Sequence, residues 1–433
     1  MAVKHLEVWI WQRRDWPRFT WDAARLSAPL ATARRAQGEV AGMARLLDPE
    51  ADLNAQLEVL TQEGLATSAI EGETFDAGSL RSSLARRLGL PTAGLPPALR
   101  SVEGLADVLL DATHDYDRRL TIRTLCDWQA ALFPTGRSGL RQIRVGRLRG
   151  NDPMQIVSGP IGRERVHYEA PPRAGLGGEM RALLTWFNTP PTDLDGLVRA
   201  GLAHAWFELV HPFEDGNGRV GRALLDRALA QDERRATRLY SMSARFEEVR
   251  DDYYDALGEL SRGNLDVTPW LTWFLRQVEA AAKSSEHTVH HVLFKARYWA
   301  RHAPKALNGR QRKALSAMLD ARPVFVGGMT NRKYASLTKT SPATAQRDLA
   351  ELVALECLVL TGAGRSARYE LPGMLMCVNL PNPHPTLARA GRSRRRHESL
   401  QLLEHVQNQV HLSWRRSGSS GVADQHPELG AVW

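Results

Sequence analysis

The stretch His211-Pro212-Phe213-Glu214-Asp215-Gly216-Asn217-Gly218-Arg219-Val220-Gly221-Arg222 gathers in one place the groups that phosphate chemistry needs. Gly216 and Gly218 tolerate backbone angles closed to other residues and let N–H groups approach an anion. Arg219 and Arg222 are three apart, so a helix starting here sets both guanidinium groups on one face, each able to grip phosphate oxygens in a fork. Cations at a helix N-terminus oppose its dipole, and an anionic ligand would account for that arrangement. Asp215 adds a carboxylate among phosphate-seeking groups, which suits a magnesium ion bridging it to the phosphates. His211 is the one side chain of the run that exchanges a proton near neutral pH. The bland alternative is a Gly- and Asn-rich helix connection with a capping aspartate and solvated arginines. Six polar or glycine positions together weigh against it.

Two helices must hold this loop. Leu197, Ala200, Gly201, His204, Ala205 and Leu209 recur at helical spacing through Leu197 to Val210, and a second helix runs from Arg219 to Ala230. Further upstream, Asp52 to Glu71 reads as a helix with Leu53, Leu57, Leu60 and Ile70 on its apolar face, closed by Gly72 as a left-handed cap. Thr67 and Glu71 are four apart and share a face. Standing alone this is an ordinary helix end, where a glutamate even opposes the dipole. Gln155 to Ser158 and Arg165 to Tyr168 flank Gly159-Pro160-Ile161-Gly162, a hairpin signal. Helical patterns at Ser79 to Leu90, Arg100 to His114, Thr121 to Leu132, Glu179 to Asn188, Arg245 to Leu257 and Trp270 to Ala282 make the chain mainly α, a helical bundle.

The signature His-Pro-Phe-x-Asp-Gly-Asn-Gly-Arg-x-x-Arg, met here without a departure, resembles that of the Fic family, whose typical members transfer AMP from ATP to a protein hydroxyl. The resemblance implies that His211 deprotonates a Ser, Thr or Tyr hydroxyl of a target protein and that Asp215 holds Mg2+ on the α- and β-phosphates. Gly216, Asn217 and Gly218 would line the anion hole, Arg219 would contact phosphate, and Arg222 would hold the γ-phosphate. Relatives that transfer phosphate itself carry a lysine in the glycine loop; both glycines are intact here, which favours nucleotidyl transfer. Thr67-x-x-x-Glu71-Gly72 is similar to the inhibitory motif of the family. By that likeness Glu71 would pair with Arg222 and take the γ-phosphate position, inhibiting the enzyme in cis, since one anion excludes another from one cation. The hairpin at 155–168 resembles the family's flap, which aligns a target chain by strand addition; a plain surface hairpin is the other reading. Tyr254 resembles the tyrosine packed near the adenine, with a core tyrosine the alternative. Where some relatives place an asparagine seven residues later, this chain has Ser261, a departure that leaves UTP or another nucleotide open. Two other functions stay open: removal of AMP with Glu71 orienting water, or a DNA-binding regulator that uses the module at 309–372, with the nucleotide site as a sensor.

The chain of 433 residues exceeds one core's usual size, and its 43% hydrophobic and 24% charged content is that of a globular protein. No run approaches the roughly 18 apolar residues of a membrane span, and no apolar stretch follows Met1 as in a signal peptide. Cys126, Cys357 and Cys377 are scattered and odd in number, which points to a reducing cytoplasm and excludes a disulfide framework. The net charge of +9 permits contact with nucleic acid or an acidic partner, although Arg389, Arg392, Arg394, Arg395 and Arg396 put much of it near the end.

Five segments follow. Residues 1–85 form an N-terminal module, rich in Trp9, Trp11, Trp16 and Trp21 and ending in the inhibitory helix. Its tryptophans need a packing partner, with base stacking the less favoured reading, and it resembles a module of unassigned role found before Fic domains. Residues 86–282 are the Fic-type helical bundle with its β-hairpin flap, and 283–308 a linker helix whose His287, His290 and His291 lack partners for a metal set. Residues 309–372 resemble a winged helix-turn-helix domain, with Thr344, Gln346 and Arg347 at the start of the third helix. Such modules bind DNA or protein, and the Asp348 and Glu351 carboxylates keep both open. Residues 373–433 read as a disordered tail. A homodimer is permitted and a membrane partner is not expected.

Overall fold

The computed structural model describes residues 8–90, 98–158, 165–236, 238–302, 305–320, 328–362 and 367–372. The expected tail from 373 onward, the connector at 91–97 and the turn of the expected flap lie outside the described residues. The described chain is mainly helical. It begins with a short 3-10 turn at Ile10–Gln12, followed by α1 (Ala23–Ala44), α2 (Pro49–Ile70), α3 (Ala77–Arg87), α4 (Arg100–His114) and α5 (Ile122–Leu132). Two small antiparallel pairs come next, β1 (Arg137–Ser138) with β2 (Arg141–Gln142), and β3 (Gln155–Ser158) with β4 (Arg165–Glu169). The helices on either side of residues 211–216 are α7 (Gly196–Val210) and α8 (Asn217–Glu233), preceded by α6 (Arg173–Asn188). After them run α9 (Met242–Glu248), α10 (Arg250–Arg262) and α11 (Thr268–His302), and then α12 (Gly309–Asp320), α13 (Asn331–Thr338), α14 (Pro342–Ala354) and the hairpin β5 (Val359–Thr361) with β6 (Arg368–Glu370).

Local chemistry accounts for the elements that matter most. Helix α2 starts where Asp48 accepts from Ala51 N, has Pro49 in its first turn, and carries Glu50 and Asp52 where the dipole favours anions. Gly72, at φ +75°, turns the chain away at its far end. Helix α7 is capped by Asp195, which accepts from Leu197 N and Val198 N, and is apolar nearly all round because it is buried nearly all round. Gly201 admits the Phe274 ring of α11, and a Cβ there would collide with it.

One cluster of buried apolar side chains runs from Trp9 to Ala282. The N-terminal aromatics belong to it: Trp16 and Phe19 meet Trp206 edge-on at 6.4 and 5.8 Å, Trp9 meets Tyr168 at 5.4 Å, and Trp11 Nε1 donates to Glu169 O at 2.6 Å. A second core, including Leu315, Met318, Tyr334, Leu349 and Leu352, fills the C-terminal unit of three helices and a hairpin. On α14, Gln346 and Arg347 are exposed, while Asp348 turns inward to Arg310 at 2.8 Å and to the Tyr334 hydroxyl at 3.0 Å. Among the described residues no helix is long and apolar enough to cross a membrane.

Several helices differ from the sequence reading: α1 was not expected, and α6 starts at Arg173, six residues before Glu179. The helix expected over 245–257 is two, broken at Val249 (φ −115°, ψ 37°), and across that break Tyr253 stacks on Phe246 at 4.6 Å. The helix expected to end at Ala282 runs on to His302, because no proline or glycine interrupts the sequence after Pro269.

Candidate functional site

The loop between α7 and α8 is built by its own backbone chemistry. His211 closes α7 in the left-handed region, at φ 49° and ψ 62°, with its N–H bonded to Phe207 O at 3.0 Å. Gly216 takes φ 84° ahead of α8, and any side chain there would strike the Phe133 ring. Asn217 is buried and faces back into the loop: its Oδ1 accepts from Phe213 N at 2.8 Å and its Nδ2 donates to Phe213 O at 2.9 Å. Its side chain therefore braces the turn, and only its backbone is left to serve an anion. Helix α8 makes its first internal bond from Val220 N to Gly216 O, so the N–H groups ahead of it point out of the helix end.

His211 is half-buried. Burial, with a smaller push from Arg149, pulls its imidazole from the ordinary 6.5 down to about 4, against the Glu208 carbonyl and the Glu71 and Asp215 charges. The ring is neutral at pH 7. Nδ1 lies 3.3 Å from Glu208 O, an atom that only accepts, so Nδ1 carries the proton and Nε2 keeps the lone pair.

Asp215 is half-exposed, its Oδ1 accepting from Gly216 N at 2.6 Å and its Oδ2 from the Ser138 hydroxyl of β1. Arg219 is buried, with its guanidinium 4.9 Å over the Phe133 ring; it donates to Glu73 Oε2 at 2.7 Å, and its Nε is buried without a hydrogen-bond partner among the described residues. Arg222, also buried, donates through Nε to Thr67 Oγ1 at 2.7 Å and through Nη2 to Thr67 O at 3.0 Å and Glu71 Oε1 at 2.7 Å. Gly218 lies directly under that pair, where a side chain would run into Glu71 Oε1 and the Arg222 guanidinium.

The two carboxylates differ. Burial raises the Glu71 pKa, but Arg222 and Arg219 overcome it and hold the group below the usual carboxylate range. Burial raises Glu73, Asp215 and Glu71 add to the push, and Arg219 opposes it without winning.

Sequence reasoning therefore located residues that the structure brings together: His211, Asp215 and Gly216 in the loop and Asn217, Gly218, Arg219 and Arg222 in the first turns of α8, with Thr67 and Glu71 against Arg222 and Gly72 next in the chain. Tyr254 is 37% exposed and donates to Ile70 O at 3.3 Å, at the end of α2, where Arg250 also donates at 2.6 Å. Ser261 bonds within its own helix, to Gly258 O at 2.9 Å. Sequence reasoning missed Glu73, Ser138 and Arg149. Glu73 was findable as a second carboxylate two residues past Glu71, while Ser138 and Arg149 reach the loop from segments with no local pattern.

Residues 119–229 match the model of the Fic/DOC family, and residues 9–90 match one described as a domain of unknown function, DUF4172. The chain is 27% identical over 234 residues to protein adenylyltransferase fic-1 of Caenorhabditis elegans, a match covering 50% of this chain and 39% of that protein. It is 31% identical over 105 residues to a probable protein adenylyltransferase of Aquifex aeolicus, covering 24% of this chain and 30% of that one. These matches span well under half of the relatives' length. A crystal structure of a Fic family protein from Desulfovibrio desulfuricans aligns over 82% of this chain and 98% of its own, at 21% identity and a TM-score of 0.49. The complete signature of residues 211–222 lies inside residues 119–229, the part of this chain that matches the Fic/DOC family model.

Proposed function

We propose that this chain is a protein adenylyltransferase, a nucleotidyltransferase that moves AMP from ATP to a hydroxyl side chain of a target protein and is held inactive in cis by Glu71. The observation that carries the reading is a neutral histidine within the same loop as two buried arginines at a helix N-terminus, both paired with carboxylates of a single upstream segment. Helix-end N–H groups and guanidinium groups form an anion site, and in the resting chain carboxylates stand where phosphates would. The unpartnered Nε of Arg219 is a donor position suited to a phosphate oxygen. The names of the curated relatives support the reaction class.

In the reaction, His211 Nε2 takes the proton of the target hydroxyl, whose oxygen bonds to the α-phosphorus as the bond to pyrophosphate breaks. The N–H groups opening α8 stabilise charge on the α-phosphate, and Arg219 and Arg222 hold the polyphosphate. Asp215 fits a magnesium site, because this ion takes hard oxygen donors from one or two carboxylates together with substrate phosphates, and Asp215 offers such a carboxylate at the loop's open side. When bound, the ion neutralises charge on the phosphates. Glu71 on Arg222 excludes the γ-phosphate, so the active state requires its withdrawal.

Incubation with labelled ATP should give a labelled protein, more in Glu71→Gly than in wild type. Adding His211→Ala to Glu71→Gly should cut labelling about 10²–10⁴-fold. Equal labelling of all three chains would overturn the proposal.

A further inference from the structure

Resting on that reading for its reaction, we propose that Arg149 is the positioning residue of the catalytic histidine and ties it mechanically to the base of the β3–β4 hairpin. Residue 149 donates three hydrogen bonds, two of them to the loop. Its backbone N–H donates to Pro212 O at 2.9 Å, its Nε donates to His211 O at 2.9 Å, and its Nη2 donates to Pro171 O, just past the end of β4. The side chain is 2% exposed, so this fork is made in the interior, where carbonyls left without donors are costly.

The need for such a clamp follows from His211 itself. A non-glycine residue in the left-handed region is strained and keeps that conformation only when its surroundings fix it. The last carbonyls of a helix also have no partners inside it. At the end of α7 they are met by side chains from outside: the Tyr168 hydroxyl of β4 donates to Leu209 O at 2.5 Å, the His211 ring to Glu208 O, and Arg149 to His211 O. Two of these donors come from the segment that carries the hairpin. Among the described residues Arg149 alone bridges the histidine's own carbonyl and the chain leaving β4, so a shift of the hairpin base moves the imidazole, and the reverse. A target chain docking on the hairpin therefore acts on the base that must take its proton.

Arg149 also acts through its charge. Placed beside the loop, the guanidinium disfavours protonation of His211, whereas Glu71 and Asp215 favour it and the Glu208 carbonyl accepts from the ring. The sign is fixed. Removing the charge raises the His211 pKa from about 4 toward the ordinary 6.5, and the acid side of the activity profile moves to higher pH.

The test uses the full chain carrying Glu71→Gly, with Arg149→Met and Arg149→Lys added in turn. Imidazole titration is followed by NMR of labelled histidine, with the His211 signal assigned by its loss in His211→Gln. Arg149→Met should raise the His211 pKa and cut the labelling kcat about 10–100-fold, while leaving the Kd for magnesium-ATP unchanged, because Arg149 does not line the phosphate site. Arg149→Lys should keep the low pKa yet lose kcat, since one ammonium cannot serve two carbonyls in a fork. Should Arg149→Met fail to fold, the lysine variant decides by its kcat at unchanged titration. An unmoved titration and an unmoved kcat in both variants would overturn the inference. If no chain labels at all, the proposed reaction falls, and the titration of His211 in Arg149→Met against its parent still decides the clamp.

Discussion

Two sets of arginines and carboxylates lie along α8, one at its start and one toward its end, and they are built in opposite ways. Toward the end, Arg34 grips Asp195 through Nε and Nη2 at 3.0 and 2.8 Å and Asp232 through Nη1 and Nη2 at 2.6 and 2.9 Å. Gln37 adds donors to Asp232 and Glu233, Arg238 donates to Asp226, and Glu63 accepts from Ser241 Oγ at 2.6 Å. The Asp226 and Glu63 side chains are each 2% exposed. At the start, Glu71 reaches Arg222 through Oε1 and Glu73 reaches Arg219 through Oε2, from side chains that are 28% and 39% exposed. Arg238, Arg219 and Arg222 are buried alike, at 4%, 5% and 2% exposed, so between these pairs the difference lies in the anions. Asp226 and Glu63 are enclosed by donors from several elements, whereas Glu71 and Glu73 reach in from one segment with solvent at their backs, as the proposed function requires of a plug that withdraws.

That contrast can be broken by substitution. The largest effect is expected for Arg238→Met, which strands Asp226 and should cost about 3–5 kcal/mol in urea unfolding, as breaking an enclosed pair does. Glu71→Gly should cost only about 1–2 kcal/mol, because Arg222 keeps both bonds to Thr67, and magnesium-ATP should restore that stability by binding the folded state. A loss in Glu71→Gly as large as in Arg238→Met, unrelieved by nucleotide, would erase the distinction. Smallest of all, Glu73→Gln should change stability by no more than about 1 kcal/mol, since exposed pairs contribute little. It should raise labelling modestly in wild type and further in Glu71→Gly, which an in-gel time course would resolve.

What the sequence disclosed of this site was what it stores locally. The loop 211–222 was legible because its residue types crowd one short stretch, whereas the pairing of Glu71 with Arg222 was expected only through the family likeness, since spacing alone leaves Thr67-Glu71-Gly72 an ordinary helix end. Arg149 and Ser138 were not, because their partners lie 62 and 77 residues away and nothing beside them in the chain marks the contact. Asn217 was located correctly but its side chain serves the turn, a distinction only the partner atoms make. In the fold, the capped and proline-started α14 declared itself, α2 was read from its apolar spacing with a start three residues late, and the tryptophans of residues 9–21 announced a packing role without naming Trp206 or Tyr168 as neighbours. The break at Val249 escaped because apolar spacing continues across it, and stacking of Tyr253 on Phe246 is a tertiary matter.

Glu71 caps the end of α2 in the same chain as its partner Arg222, and under the proposed function that covalent linkage sets the terms of competition with nucleotide. A tethered rival never dilutes: its effective concentration is of millimolar order whatever the amount of protein present. Nucleotide at comparable concentration would contend with it at every turnover, and the contest would be identical in a dilute extract and a crowded one. Control of such an enzyme would come from whatever tugs on the tether, leaving its abundance a poor guide to its output.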